Sequence, residues 1–302
     1  MATTKSWIKA ARLRTLPLAL AGILMGCGLA FFYQTIDWIV CFSAIVTATL
    51  IQVFSNFAND YGDNQRGTDN NNRLGPVRTL QSGEITISEM RRGMLIIGLL
   101  SFVVGIFLVY QGTWHHRPAA FFVFIALGVL SLLAAYFYTA GKHSYGYVGL
   151  GDLSVFLFFG LLPVLGVFYL NAGTMDFGVL FPAVTMGLFS TGVLNLNNMR
   201  DITNDRESGK TTLPVLMGAT GSLVYHFLLI ILGWLAVVVF TLQKQQSLWQ
   251  WLFVLSLPLF IRDLYRIACV RDARNFDPFL KSLSLSTLAF VVLFDLGLFL
   301  TV

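Results

Sequence analysis

Residues 38–69 read WIVCFSAIVTATLIQVFSNFANDYGDNQRGTD. The first part, 38–57, is predominantly apolar and long enough for a helix to cross the hydrocarbon layer of a membrane. The residues directly after it are dense in Asn, Asp and Arg: Asn59, Asp60, Asp63, Arg66 and Asp69. The construction recurs further on. The apolar stretch 177–196 runs into Asn195-Leu-Asn197-Asn198-Met-Arg200-Asp201-Ile-Thr-Asn204-Asp205-Arg206. Two membrane-length stretches that each end in an acidic, amide-rich cluster decide both the fold class and where the chemistry lies.

The rest of the chain agrees. It has 302 residues, 56% of them hydrophobic and 12% charged, where a soluble domain carries about 25% charge. With a mean hydropathy of +0.72, a soluble globular enzyme and a disordered chain are both excluded. Apolar stretches fall at 16–33, 38–57, 93–111, 119–139, 151–170, 177–196, 222–242, 248–268 and 282–301. They predict an all-α polytopic membrane protein, a nine-transmembrane-helix bundle forming one domain over residues 1–302. The first stretch follows Lys5, Lys9, Arg12 and Arg14 but shows no small-residue cleavage site, so it is read as a helix and not as a signal peptide. Of the 20 Lys and Arg residues, eighteen fall on one side of these nine crossings; only Arg117 and Lys244 fall on the other. Positive charge stays in the cytoplasm. The N-terminus and both acidic clusters are therefore expected inside, and the C-terminus outside. Trp38, Trp114, Trp249 and Trp251 sit at outer span ends, where indoles settle at the interface. Three widely spaced cysteines imply neither a disulfide framework nor a zinc site.

If the helices continue past the membrane, residues four apart share a face. Asn56 then stacks with Asp60, Asn59 with Asp63, and Asn197 with Asp201 and Asp205. Bare carboxylates this close repel one another. An all-oxygen Asp/Asn set suits Mg²⁺, which binds one or two carboxylates together with substrate phosphate oxygens. Two such clusters on one membrane face suit a diphosphate held between them; ordinary helix capping is the plainer alternative. Arg73, Arg78, Lys142, Arg200, Arg206 and Lys210 accompany the clusters, either as phosphate-binding cations or simply as the cations that cytoplasmic loops carry. Glu84, Glu89, Asp272 and Asp277 read as solvated charge. Gly209-Lys210-Thr211 is not the end of a P-loop, because Asn204 stands where the first glycine belongs. His115, His116, His143 and His226 lack metal-ligand spacing. Asp295 alone lies within a span, where a carboxylate is costly and faces the bundle interior.

At these residues the chain resembles the UbiA superfamily of intramembrane prenyltransferases. Asn59, Asp60 and Asp63 match its first acidic motif, although Gly67 stands where that motif has a further Asp. Asp201 and Asp205 match the second, and Tyr138 with Lys142 match its Tyr-x-x-x-Lys. Several blocks are similar to the 1,4-dihydroxy-2-naphthoate branch: Arg14-Thr-Leu-Pro17, Asn59 through Gly67-Thr-Asp69, Arg73-Leu-Gly-Pro-Val-Arg78, Gln81-Ser-Gly83, Tyr147-Val-Gly-Leu-Gly151-Asp152, and Asn197 through Gly209-Lys-Thr-Thr-Leu-Pro214.

The resemblance implies transfer of a polyprenyl group from its diphosphate to the aromatic acceptor, with loss of CO₂, giving demethylmenaquinone. It implies Mg²⁺ at Asn59, Asp63, Asp201 and Asp205, with Asp60 joining Asp63, Asp201 and Asp205 as catalytic. It implies substrate contacts from Asn59, Asn197, Arg73, Arg78, Tyr138, Lys142, Arg200 and Lys210. Membrane lipid surrounds such a protein, and no nucleic-acid partner is expected. A different acceptor (homogentisate or 4-hydroxybenzoate), a phytyl donor, or a transporter with polar residues at mid-membrane are the alternatives. Tail length and oligomeric state are left open.

Overall fold

Several helices run past the apolar stretches that predict them, and this overhang carries the polar chemistry. In the computed structural model, which describes residues 2–69, 74–114, 117–141 and 144–302, a short amphipathic helix α1 (Thr4–Ala11) leads into α2 (Leu16–Phe32). Helix α3 (Trp38–Arg66) continues nine residues beyond its apolar stretch. Next come α4 (Ile87–Thr113), α5 (Pro118–Phe137) and α6 (Gly151–Ala172), the last containing a π-helical turn at Phe156–Leu161. Helix α7 (Leu180–Arg200) is followed by the short α8 (Ile202–Glu207), then α9 (Leu213–Gln243), α10 (Leu257–Ala268) and α11 (Asp277–Phe299). No strand occurs among the described residues.

Eight helical segments among the described residues are by themselves long and apolar enough to cross a membrane, against nine expected. The exception is the stretch 248–268. It is a composite of a 3₁₀ segment, Leu248–Ser256, and α10. Pro258, in the first turn of α10, offers no N–H to a continuous α-ladder. The 3₁₀ part rises about 2 Å per residue, so the composite still reaches about 36 Å, more than the roughly 30 Å of a hydrocarbon core. The protein is an integral multi-pass membrane protein, with apolar side chains such as Phe42, Leu95, Leu99 and Phe122 exposed on its flanks.

Burying apolar surface does not by itself bring helices together in lipid, so close packing must. Gly160 of α6 meets the backbone of Gly187 of α7 at a spacing that leaves no room for a Cβ. Around α7, α9, α10 and α11, aromatic rings pack ring on ring: Phe189 lies 4.9 Å from Phe260, and Trp234 lies 5.4 Å from Phe290, centroid to centroid. This half is solid. The other side, where α2 to α6 face parts of α7 and α11, holds a cavity of about 890 Å³.

Candidate active site

The cavity has a polar mouth and an apolar body. Ile106, Val109, Phe124, Leu132, Phe158 and Leu170 are among the side chains that line the body. Ala44 and Asp63, both on α3, line its two ends. They are nineteen residues apart, about 28 Å along a helix, so the cavity runs through most of the membrane's thickness. The mouth carries Arg12, Asn59, Asp60, Asp63, Arg78 and Lys210, with Tyr138 and Asn197 beside them.

The continuing α3 delivers the first cluster as the four-residue spacing predicts. Its end is a Schellman turn: Gly67 takes φ +69°, its N–H donates to Asn64 O, and the Thr68 N–H donates to Asp63 O. A side chain is strained in that left-handed conformation, which explains why Gly67 departs from the acidic pattern. Arg78 returns from the loop after α3 into the carboxylates. It lies 2.7 Å from Asp63 Oδ2, 3.0 Å from Asp69 Oδ1 and 3.5 Å from Asp60 Oδ1, and it donates to the Asn59 carbonyl. Burial works against its charge, but Asp63 and Asp69 outweigh that and raise its pKa. Asp60 also pairs with Arg12 and accepts from Thr79. Asn59 Oδ1 accepts from Thr139 at 3.2 Å.

The second cluster departs from the uninterrupted helix expected of it. Asp201 leaves helical geometry at φ −98°, ψ 12°, and its carboxylate turns back onto Arg200, which holds both of its oxygens. Arg200 is 1% exposed. It also donates to Asn197 Oδ1 at 2.9 Å and pairs with Asp277. Asp277 therefore is not merely solvated charge: it joins Arg200 to Arg14, 3.9 Å away. Arg200, predicted to bind substrate, does not line the cavity and spends its nitrogens on the acidic cluster. Asp205 pairs with Lys210 at 3.5 Å. Burial, only partly offset by Lys210, pushes its pKa up to about 6, with Asp201 and Asp63 adding to the rise.

Among the described residues no three Asp, Glu, His or Cys side chains converge to hold a metal ion. Within the predicted set of Asn59, Asp63, Asp201 and Asp205, the three carboxylates pair with Arg78, Arg200 and Lys210. The donor chemistry nonetheless fits a hard divalent cation. Asp205 Oδ2 and Asn204 Oδ1 are buried oxygens with no hydrogen-bond partner, and an unpaired buried acceptor is costly. Arg73 and Lys142 lie outside the described residues. Asp295 sits against Gly28 of α2, away from the cavity. Charge counting treated Arg12 and Asp277 only as loop charges, and no spacing rule marked Thr68 or Asn204. Their roles come from contacts between distant segments.

The chain is similar to known proteins in sequence and in fold. The pattern of the UbiA prenyltransferase family matches residues 16–290. The chain is 41% identical over 298 residues to the 1,4-dihydroxy-2-naphthoate octaprenyltransferase of Escherichia coli, covering 99% of this chain and 96% of that one. It is 33% identical over 294 residues to the Mycobacterium tuberculosis protein of the same name, covering 97% and 96%. Its fold is similar to that of a UbiA homologue from Aeropyrum pernix, with a TM-score of 0.71 at 16% identity over 96% of this chain and 98% of that one. A UbiA homologue from Archaeoglobus fulgidus, solved with DMAPP and Mg²⁺, gives a TM-score of 0.60 at 15% identity, over 95% and 99%. A family pattern spanning nearly all the helices, and relatives alike from end to end, show that this chain belongs to the UbiA prenyltransferase family.

Proposed function

We propose that the protein transfers a polyprenyl group from polyprenyl diphosphate to 1,4-dihydroxy-2-naphthoate, with loss of CO₂, to give demethylmenaquinone. The observation that carries this is a cavity whose mouth gathers Asn59, Asp60, Asp63, Arg78 and Lys210 while its body is apolar. A polyprenyl diphosphate has the same two-part character. The near end-to-end likeness to naphthoate prenyltransferases supports the choice of acceptor.

The residues divide the work. Lys210 and Arg78 bring positive charge to the diphosphate, Lys210 as a point charge and Arg78 through the carboxylates it organises. Asn59 and Asp63, which line the mouth, with Asp201 and Asp205 of the second segment set back from it, would hold Mg²⁺. Bound there, the metal ion would draw negative charge off the departing diphosphate. The apolar wall of the cavity, Phe158 included, keeps water from the allylic cation. With the prenyl tail in the body of the cavity, the reacting carbon lies near the mouth, where the naphthoate must stack.

The test is a membrane assay with labelled polyprenyl diphosphate and a panel of acceptors. Prenylation of 1,4-dihydroxy-2-naphthoate with release of CO₂ is expected. Turnover of 4-hydroxybenzoate in its place would overturn the acceptor assignment.

The charge sorting supports a cytoplasmic N-terminus, an external C-terminus and a site on the cytoplasmic side. A cysteine at Ser208 should be shielded from an impermeant thiol reagent in intact cells, and one at the exposed Gln245 should label. The reverse pattern would refute this orientation.

A further inference from the structure

Tyr147 belongs to the block Tyr147-Val-Gly-Leu-Gly151-Asp152, to which the prenyl-transfer reading assigns no part. It is 5% exposed and does not line the cavity, so it does not reach substrate. Its contacts nevertheless run into both acidic segments. The phenol donates to Asp63 Oδ1 at 2.8 Å. A phenol has one proton to give, so the Thr68 hydroxyl, 2.6 Å away, donates to it in turn. The ring lies between two cations: the Arg66 guanidinium carbon is 4.5 Å from its centroid and Lys210 Nζ is 5.6 Å from it, both within cation–π reach. The Tyr147 carbonyl accepts from Thr211 N at 2.9 Å. The Thr68 carbonyl accepts from Asn204 Nδ2 at 3.2 Å.

Asp63, Arg66 and Thr68 belong to the end of α3, with Thr68 delivered by the Gly67 turn. Asn204, Lys210 and Thr211 belong to the second segment. Tyr147 is thus bonded to one side through its hydroxyl and to the other through its backbone, with its ring between them.

We propose that Tyr147 is a positioning residue that sets the distance between the Asp63 carboxylate and the Lys210 ammonium, the two cavity-lining charges supplied by opposite acidic segments, and thereby fits the mouth to a diphosphate. The proposal rests on the prenyl-transfer reading. Losing the phenol hydroxyl releases one hold on Asp63 and leaves its contact with Arg78 in place. The donor's diphosphate end feels this; the acceptor does not.

Tyr147→Phe keeps the ring between Arg66 and Lys210 and removes only the oxygen. Binding of farnesyl thiodiphosphate, an uncleaved donor analogue, is measured by calorimetry with Mg²⁺ on the detergent-purified protein, beside the KM values. Analogue Kd and donor KM are expected to rise about tenfold, as for one hydrogen bond to a charged group. The naphthoate KM and the melting midpoint should stay near wild type. Thr68→Val, which removes the hydroxyl that supports the phenol, should move the same two quantities in the same direction by less. Unchanged donor affinity in Tyr147→Phe overturns the proposal. So does a joint rise of both KM values with a lower melting midpoint, the mark of a merely structural residue. A wild-type protein that binds the analogue yet never prenylates the naphthoate would defeat the acceptor assignment, while the binding comparison still decides Tyr147.

Discussion

Asp63→Asn is expected to lower prenyl transfer about a thousandfold while the protein still folds. Two unit charges 4 Å apart interact by about 4 kcal/mol at the dielectric that suits protein sites, and each 1.4 kcal/mol is a factor of ten in rate. The substitution keeps the volume and the acceptor for the Tyr147 hydroxyl, but removes the charge that faces the cavity mouth and pairs with Arg78. EDTA should abolish the activity of the wild-type protein, and Mg²⁺ should restore it. The rate and the melting midpoint are measured on the same detergent-purified sample. A folded Asp63→Asn protein with near wild-type turnover would end the assignment of the first cluster to metal and diphosphate.

Arg200→Met should instead unfold the second cluster. Taking one partner from a buried ion pair strands the other charge, at a cost of about 3–5 kcal/mol. Here Asp201 loses the group that holds both its oxygens, Asn197 loses a donor and Asp277 loses its shorter ion pair. Asp277→Asn should cost less, since that side chain is 35% exposed and already partly in water. Denaturant melts in detergent measure both. The outcome also decides between two roles for Arg200. A marked loss of stability fits an arginine that braces the cluster. A stable variant whose only defect is a raised KM for the polyprenyl diphosphate would return Arg200 to the substrate contacts that sequence reasoning expected.

The membrane-spanning helices and the two acidic clusters were readable from residue order because both depend on local facts. A run of apolar residues partitions into lipid whatever surrounds it, and α3 brings Asn59 to Asp63 because one helical turn does so in any helix. The resemblance to a prenyltransferase family rested on those same short spacings. The crossing at 248–268 is a milder case: hydropathy located it, but Pro258 and the packing of Phe253 and Phe260 shaped it into 3₁₀ and α parts. The pairing of charges was not readable. Arg78 could meet Asp63 and Asp69, Arg12 could meet Asp60, and Asp277 could meet Arg200 across 77 residues, only after the helices had packed. Charge and sequence distance carry no record of such partners. The break at Asp201, the burial that raises the pKa of Asp205 and the bridge made by Tyr147 arise the same way. Hydropathy and helical period act along the chain; ion pairs and burial act through space, and in this protein they determine which of the charged residues face the cavity and which brace those that do.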